Sequence, residues 1–260
     1  MYQYPKINTE AVKSAIIQGM KNGYIKCLMY LGETEEGLSS VREYILTVSV
    51  ADSLQDDKEV FGQIRVEHPY QKFSDDAFPP CNFNNNNPFD SIYRKCIFHK
   101  RDKRKIDIAL LSANGERSLC GIEIKAINQP YNKINSDINR LSKALNRKDA
   151  VGESSLQACF VTFIIRTDHR FEYVHIEDVQ KSREENRIKI EQELLSSMRS
   201  KYTDLSYTLE YFDVDILTAE SEYQRAEDWD DFSHRTRCIM GYIIKIVPNV
   251  SSTSTISSMI

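Results

Sequence analysis

Three charged side chains interrupt two apolar runs of this chain. The first run is Lys105-Ile106-Asp107-Ile108-Ala109-Leu110-Leu111 and the second is Cys120-Gly121-Ile122-Glu123-Ile124-Lys125. Side chains alternate along a strand, so Glu123 and Lys125 share one face while Ile122 and Ile124 share the other. Charge is unwelcome in half-buried strands unless it is used or paired. Two carboxylates and a lysine at the end of a sheet could hold a divalent metal and a water beside a phosphate. Mg²⁺ takes oxygen ligands and is often held by one or two carboxylates while it keeps several waters. Asp107 and Glu123 would be those carboxylates, the Ile124 carbonyl a neutral ligand between them, and Lys125 the group beside the attacking water. The chemistry expected of such a set is metal-dependent hydrolysis of phosphodiesters. The bland reading of the same residues is an edge hairpin with a solvated charged face.

Register makes a demand on this hairpin. Asn114-Gly115 suggests a tight turn. A strict two-residue turn there would set Asp107 opposite Ile122, on the wrong face. For Asp107 to meet Glu123 the hairpin needs an odd-length loop or a bulge.

The elements that would position these residues can be read from periodicity. Amphipathic helices are expected over Thr9–Tyr24 and Leu38–Leu54, the second with a stripe of Leu38, Val41, Ile45 and Val48. Gly62–His68 reads as a strand ended by Pro69. Phe73–Asp90, with Pro79-Pro80 and an asparagine run, reads as a long irregular stretch. Strands are expected over Tyr93–Phe98, Lys105–Leu111, Leu119–Ala126, Gln157–Ile165, Phe171–Ile176 and Leu205–Ile216. Gln157–Ile165 is almost continuously apolar, as in a strand covered on both faces. Helices are expected over Lys133–Asn146, Ser182–Tyr202 and Asp230–Val247.

The 260 residues, 41% hydrophobic and 28% charged, describe an ordinary globular protein, read as a single domain over 1–247. Its core is expected over about 36–180, a helix-and-strand extension over about 181–247, and a flexible Ser/Thr-rich tail over 248–260. The net charge of −4 argues against a generic nucleic-acid coat but not against a local basic cleft. No membrane span or signal peptide is evident. The six cysteines are scattered without a Cys-x-x-Cys pair. A reduced cytoplasmic or nucleoid-associated setting is therefore expected, without zinc. No P-loop, Gly-x-Gly-x-x-Gly or Gly-x-Ser-x-Gly motif occurs.

In chain order these features resemble the PD-(D/E)XK superfamily, the restriction-endonuclease-like nucleases, over roughly Val41–Ile165. Asp107 matches the motif aspartate, and Glu123 and Lys125 match the (D/E)XK pair. Glu43 matches the helix glutamate that approaches the metal, and Val66-Glu67-His68-Pro69-Tyr70 matches the strand that often carries an acidic residue. Asp137-Ile138-Asn139-Arg140-Leu141 resembles an Asp-x-x-(Arg/Lys)-Leu helix of many members. One departure is Ile106, where the family has a proline before the aspartate.

The resemblance implies an α/β fold with a restriction-endonuclease-like core, a central mixed β-sheet flanked by helices on both faces. It implies a Mg²⁺- or Mn²⁺-dependent nuclease, more an endonuclease than an exonuclease, in a restriction, defence, mobile-element or repair context. DNA is the expected substrate, with RNA left open, and a homodimer is compatible. Asp107, Glu123, Lys125 and Glu43 would be catalytic, with Glu43 in the outer shell or at a second metal. The alternative is a non-catalytic nucleic-acid- or protein-binding module on the same fold.

Other residues have competing readings. Lys95, Lys100, Arg101, Lys103 and Arg104 form a basic stretch before the Asp107 strand, either a solvated loop or a set of phosphate contacts. Asp137 and Arg140 read more readily as a helix-surface or sheet-edge pair than as metal ligands. Gln157 would border the site or simply end its strand. His68 is an outlying candidate near it, while the five histidines show no metal-ligand spacing.

Overall fold

The computed structural model describes residues 6–31, 39–78, 103–147, 154–168, 176–216 and 237–249. In chain order these form α1 (Thr9–Leu31), α2 (Ser39–Asp56), β1 (Gln63–Pro69), α3 (Tyr70–Asp75), β2 (Lys105–Leu111), β3 (Ser118–Ile127) and α4 (Tyr131–Leu145). There follow β4 (Ala158–Asp168), α5 (Ile176–Ile190), a π-helical turn (Glu191–Leu195), α6 (Ser196–Lys201), β5 (Leu205–Ile216) and β6 (Arg237–Pro248). The strands make one six-stranded sheet in the order β1-β2-β3-β4-β6-β5. It is mixed: β3 and β4 run parallel, and every other neighbouring pair is antiparallel. The protein is thus α/β with a mixed sheet and flanking helices.

Helices cover both faces. On one, α1 and α2 pack Val12, Ile16, Met20, Leu46 and Val50 against Ile108, Ile122, Ile124 and Phe160. On the other, α3 and α4 pack Phe73, Ile134, Ile138 and Leu141 against Ala109, Cys159, Val161 and Phe163. That double cover explains why β4 is apolar from Ala158 to Ile165 except at Thr162. Asn8 caps α1, its Oδ1 accepting from the Glu10 and Ala11 backbone N–H groups at 3.2 and 3.1 Å. Cys27, Cys120 and Cys159 are free and buried, and burial pushes the Cys159 thiol up to about 12. They pack as small hydrophobes.

The α1–α2 contact depends on Gly19. A Cβ there would stand 2.4 Å from the Val50 Cα, a backbone atom that cannot swing aside. Gly19→Ala is therefore expected to destabilise the protein by about 1–3 kcal/mol despite the better helix propensity of alanine. Urea denaturation checks it, and an unchanged midpoint would contradict the packing described.

Several expectations need correction. The segment read as a final helix over Asp230–Val247 is the strand β6 from Arg237, paired with β4 on one side and β5 on the other. Ile239, Tyr242, Ile243 and Ile246 have helical spacing, but β-branched and aromatic residues fill both parities here because both faces are covered. The irregular stretch begins later than Phe73, since Tyr70–Asp75 is helical behind Pro69. The buried side of α2 is Leu46, Val50 and Leu54, whereas Val41 is 42% exposed, so the stripe chosen from sequence had the wrong phase. The strand expected over 93–98, most of that over 171–176 and the tail from 250 lie outside the described residues.

Candidate active site

The β2–β3 hairpin meets the demand on its register. Ser112 and Arg117 close the loop, with the Ser112 N–H donating to the Arg117 carbonyl at 2.8 Å, and Gly115 takes a φ of 73° that favours glycine. Leu111 pairs with Ser118 but Leu110 pairs with Cys120, so Leu119 is the extra residue of a bulge. Beyond it Ile108 pairs with Ile122, which brings Asp107 level with Glu123. The two strands are locked there by the Ile124 N–H, which donates to Asp107 Oδ2 at 2.7 Å.

Lys125 is the hub of the cluster. Its Nζ donates to the Ile124 carbonyl at 3.1 Å and to Glu43 Oε1 at 3.1 Å. It lies 3.3 Å from Asp137 Oδ2 and 3.9 Å from Asp107 Oδ2. Glu43 arrives from α2 on one face of the sheet and Asp137 from α4 on the other. Each falls on its helix's buried side: Glu43 lies one turn before Leu46 and Val50, and Asp137 sits within the stripe between Ile134 and Leu141.

Arg140, one turn beyond Asp137, holds the remaining carboxylate. Its Nη2 donates to Glu123 Oε1 and, at 2.8 Å, to Asp137 Oδ1. The Tyr70 hydroxyl donates to the Arg140 carbonyl at 3.1 Å, and its ring centroid lies 5.9 Å from the guanidinium carbon. Glu123 is 1% exposed and Asp137 6%. Asp137 and Arg140 are thus not a helix-surface pair; they are buried members of the site that the sequence reading placed outside it. The signal that could have found them is a charge inside the apolar stripe of α4.

Burial raises the Asp107 carboxyl above its ordinary value, against the pull of Lys125 and the Ile124 N–H. Burial also pushes Glu123 well above the usual carboxylate range, and neighbouring Asp107 and Asp137 add to this. For Lys125 burial favours the neutral amine, but Asp107, Asp137, Glu43 and Glu123 outweigh it and hold the ammonium charged.

An open cleft of about 380 Å³ exposes the cluster, its floor formed by Asp107, Glu123, Lys125, Asp137 and Arg140. Arg104, Lys105 and Lys133 give it a basic side. Lys103 is exposed just before them, whereas Lys95, Lys100 and Arg101 lie outside the described residues. Glu67 adopts a φ of 54°, in the left-handed region, and pairs with Lys105 at 2.7 Å. His68 is buried in β1, where burial lowers its pKa, and it does not line the cleft. Gln157 is not a site residue. Its side chain accepts from the Ile7 N–H at 2.9 Å, and its own N–H reaches Leu119, near the opposite end of β3.

The donor set can be tested against a hard divalent cation. Among the described residues the cations that contact Glu43, Asp107, Glu123 and Asp137 are Lys125 and Arg140, so carboxyl groups outnumber those cations four to two. Asp137 Oδ2 is buried and accepts no hydrogen bond among the described residues. All-oxygen, rich in carboxyl groups and partly unsatisfied, the set suits Mg²⁺ or Mn²⁺ in its chemistry. The carboxylates nevertheless surround Lys125 instead of converging, and among the described residues no three Asp, Glu, His or Cys side chains are arranged to hold an ion as they stand.

Compared with known proteins, the chain matches no family model, no curated protein and no solved structure. Among the described residues no helix is long and apolar enough to cross a membrane.

Proposed function

We propose that the protein is a Mg²⁺- or Mn²⁺-dependent nuclease of the PD-(D/E)XK type that hydrolyses phosphodiester bonds, with DNA the favoured substrate. The observation that carries this reading is the four-to-two excess of carboxyl groups over cations beside a cleft with a basic side. Asp107 and Glu123 would hold the metal, joined by the Ile124 carbonyl, with Glu43 behind them. A bound divalent ion would neutralise charge on the scissile phosphate and acidify a water. Lys125, an ammonium held among carboxyl groups, would act through Nζ as a hydrogen-bond donor to the attacking oxygen. Arg104, Lys105 and Lys133 would meet phosphates of the strand, positioning it without reading sequence.

The test incubates supercoiled DNA, linear DNA and RNA with the protein and Mg²⁺ or Mn²⁺. Cleavage of at least one substrate is expected, stopped by chelation and slowed on the order of 100-fold or more in Lys125→Ala. No cleavage of any substrate, or equal cleavage by the variant, defeats the reading. A second reading has its own support. Arg140 already satisfies Glu123 without any metal, as it would in a binding module that keeps the fold without the reaction. Nucleic-acid binding with no cleavage under either ion would select that module.

A further inference from the structure

Every ligand named for the metal is already engaged by a cationic side chain. Lys125 Nζ contacts the Ile124 carbonyl, Glu43 Oε1 and, more loosely, Asp107 Oδ2, and Arg140 takes Glu123. We infer that Lys125 also competes with the metal: its ammonium holds the ligand oxygens in place and must leave the Ile124 carbonyl for a divalent ion to reach it. This inference rests on the nuclease reading for the identity of the ligands.

Three observations support it. The Lys125 side chain is 12% exposed and rooted on the same strand as the carbonyl it covers, so it is not a surface lysine that happens to reach inward. Its contacts come from both layers of helices, Glu43 from α2 and Asp137 from α4, which fixes Nζ between them. Asp137 Oδ2 lies 3.3 Å from Nζ yet accepts no hydrogen bond among the described residues. It offers a buried acceptor to which the ammonium can shift when it gives up the Ile124 carbonyl. The lysine would then stay within the cluster, beside the oxygens of a bound substrate.

A positive charge a few ångströms from the ion opposes its binding, and removing that charge favours it. Lys125→Met keeps the length of the side chain without the charge. Lys125→Gln keeps a hydrogen-bond donor and serves if the methionine variant does not fold. Lys72→Met removes an exposed cation that pairs with Asp76 and lies outside the cleft. Titration calorimetry with Mn²⁺ alone is the readout, with thermal melts to show that each variant is folded. Both Lys125 variants are expected to bind Mn²⁺ about tenfold tighter than the unaltered protein or more, and Lys72→Met within about twofold of it, as expected for a screened, more distant charge.

Equal or weaker Mn²⁺ binding by folded Lys125 variants overturns the inference, as does the absence of binding in every protein, unaltered chain included. Tighter binding by the variants, with no cleavage by the unaltered protein, upholds the competition and overturns the nuclease reading alone.

Discussion

Replacing Arg140 with methionine is expected to cost about 3–5 kcal/mol of folding stability, the range found when one partner of a buried ion pair is removed. Arg140 is 8% exposed, and Nη2 bonds both Glu123 and Asp137. Without it Glu123, itself 1% exposed, keeps no hydrogen-bonded cation and remains level with Asp107. The planar guanidinium also stacks near Tyr70, so lysine should rescue only part of the loss. Urea denaturation of the three proteins without divalent ions measures the effect. A loss below about 1 kcal/mol, the worth of a surface pair, would mean that Arg140 does not hold the cluster together.

Glu123→Gln should move stability the other way. Glutamine keeps the shape and can still accept from Arg140, and it removes a group that cannot ionise in the fold without crowding Asp107 and Asp137. A gain of about 1–3 kcal/mol at pH 7 is expected, because a buried charge that is poorly compensated costs more than its neutral isostere. The sign with pH follows from linkage. The folded-state pKa of Glu123 lies well above its ordinary 4.5, so the folded protein binds the proton more tightly than the unfolded chain does. The unaltered protein therefore has its full share of stability from this group below about pH 4.5 and loses it as pH rises through the folded value. The advantage of the glutamine variant should be near zero at low pH and open as pH rises. Any Mn²⁺-induced rise in melting temperature should shrink in the same variant. A variant less stable than its parent at pH 7 would show that the Glu123–Arg140 attraction outweighs the crowding of carboxylates.

Local alternation was enough to find the hairpin, and the requirement for an odd-length loop or a bulge followed from counting residues between Asp107 and Glu123. Which residue bulges did not follow, because nothing in Ser118-Leu119-Cys120 distinguishes Leu119 by type. Glu43 could be placed by chain order but not by its helix stripe. Several phases of Val41-Arg42-Glu43-Tyr44-Ile45 look equally apolar, and only packing on β3 selects the one that carries Glu43 inward. Asp137 and Arg140 were hidden for a different reason. An i,i+3 Asp–Arg pair is most often a solvated pair, and only the tertiary contact with Glu123 and Lys125 makes it internal. The β6 segment failed because a strand buried on both faces has no period of its own.

The sheet order has a consequence for how the protein is made. β6, last of the described strands in the chain, is inserted between β4 and β5. During synthesis β4 therefore carries an open edge, and β5 lacks its partner among the described strands, until β6 has emerged from Arg237 onward. The apolar edge of β4, Cys159 to Ile165, is the kind of template on which unfinished chains pair with one another. Any chain cut before Arg237 keeps the whole carboxylate cluster in its sequence yet lacks the strand that closes the sheet beside it. Premature termination would yield not a smaller folded protein but sticky, incomplete chains that invite chaperone capture or degradation.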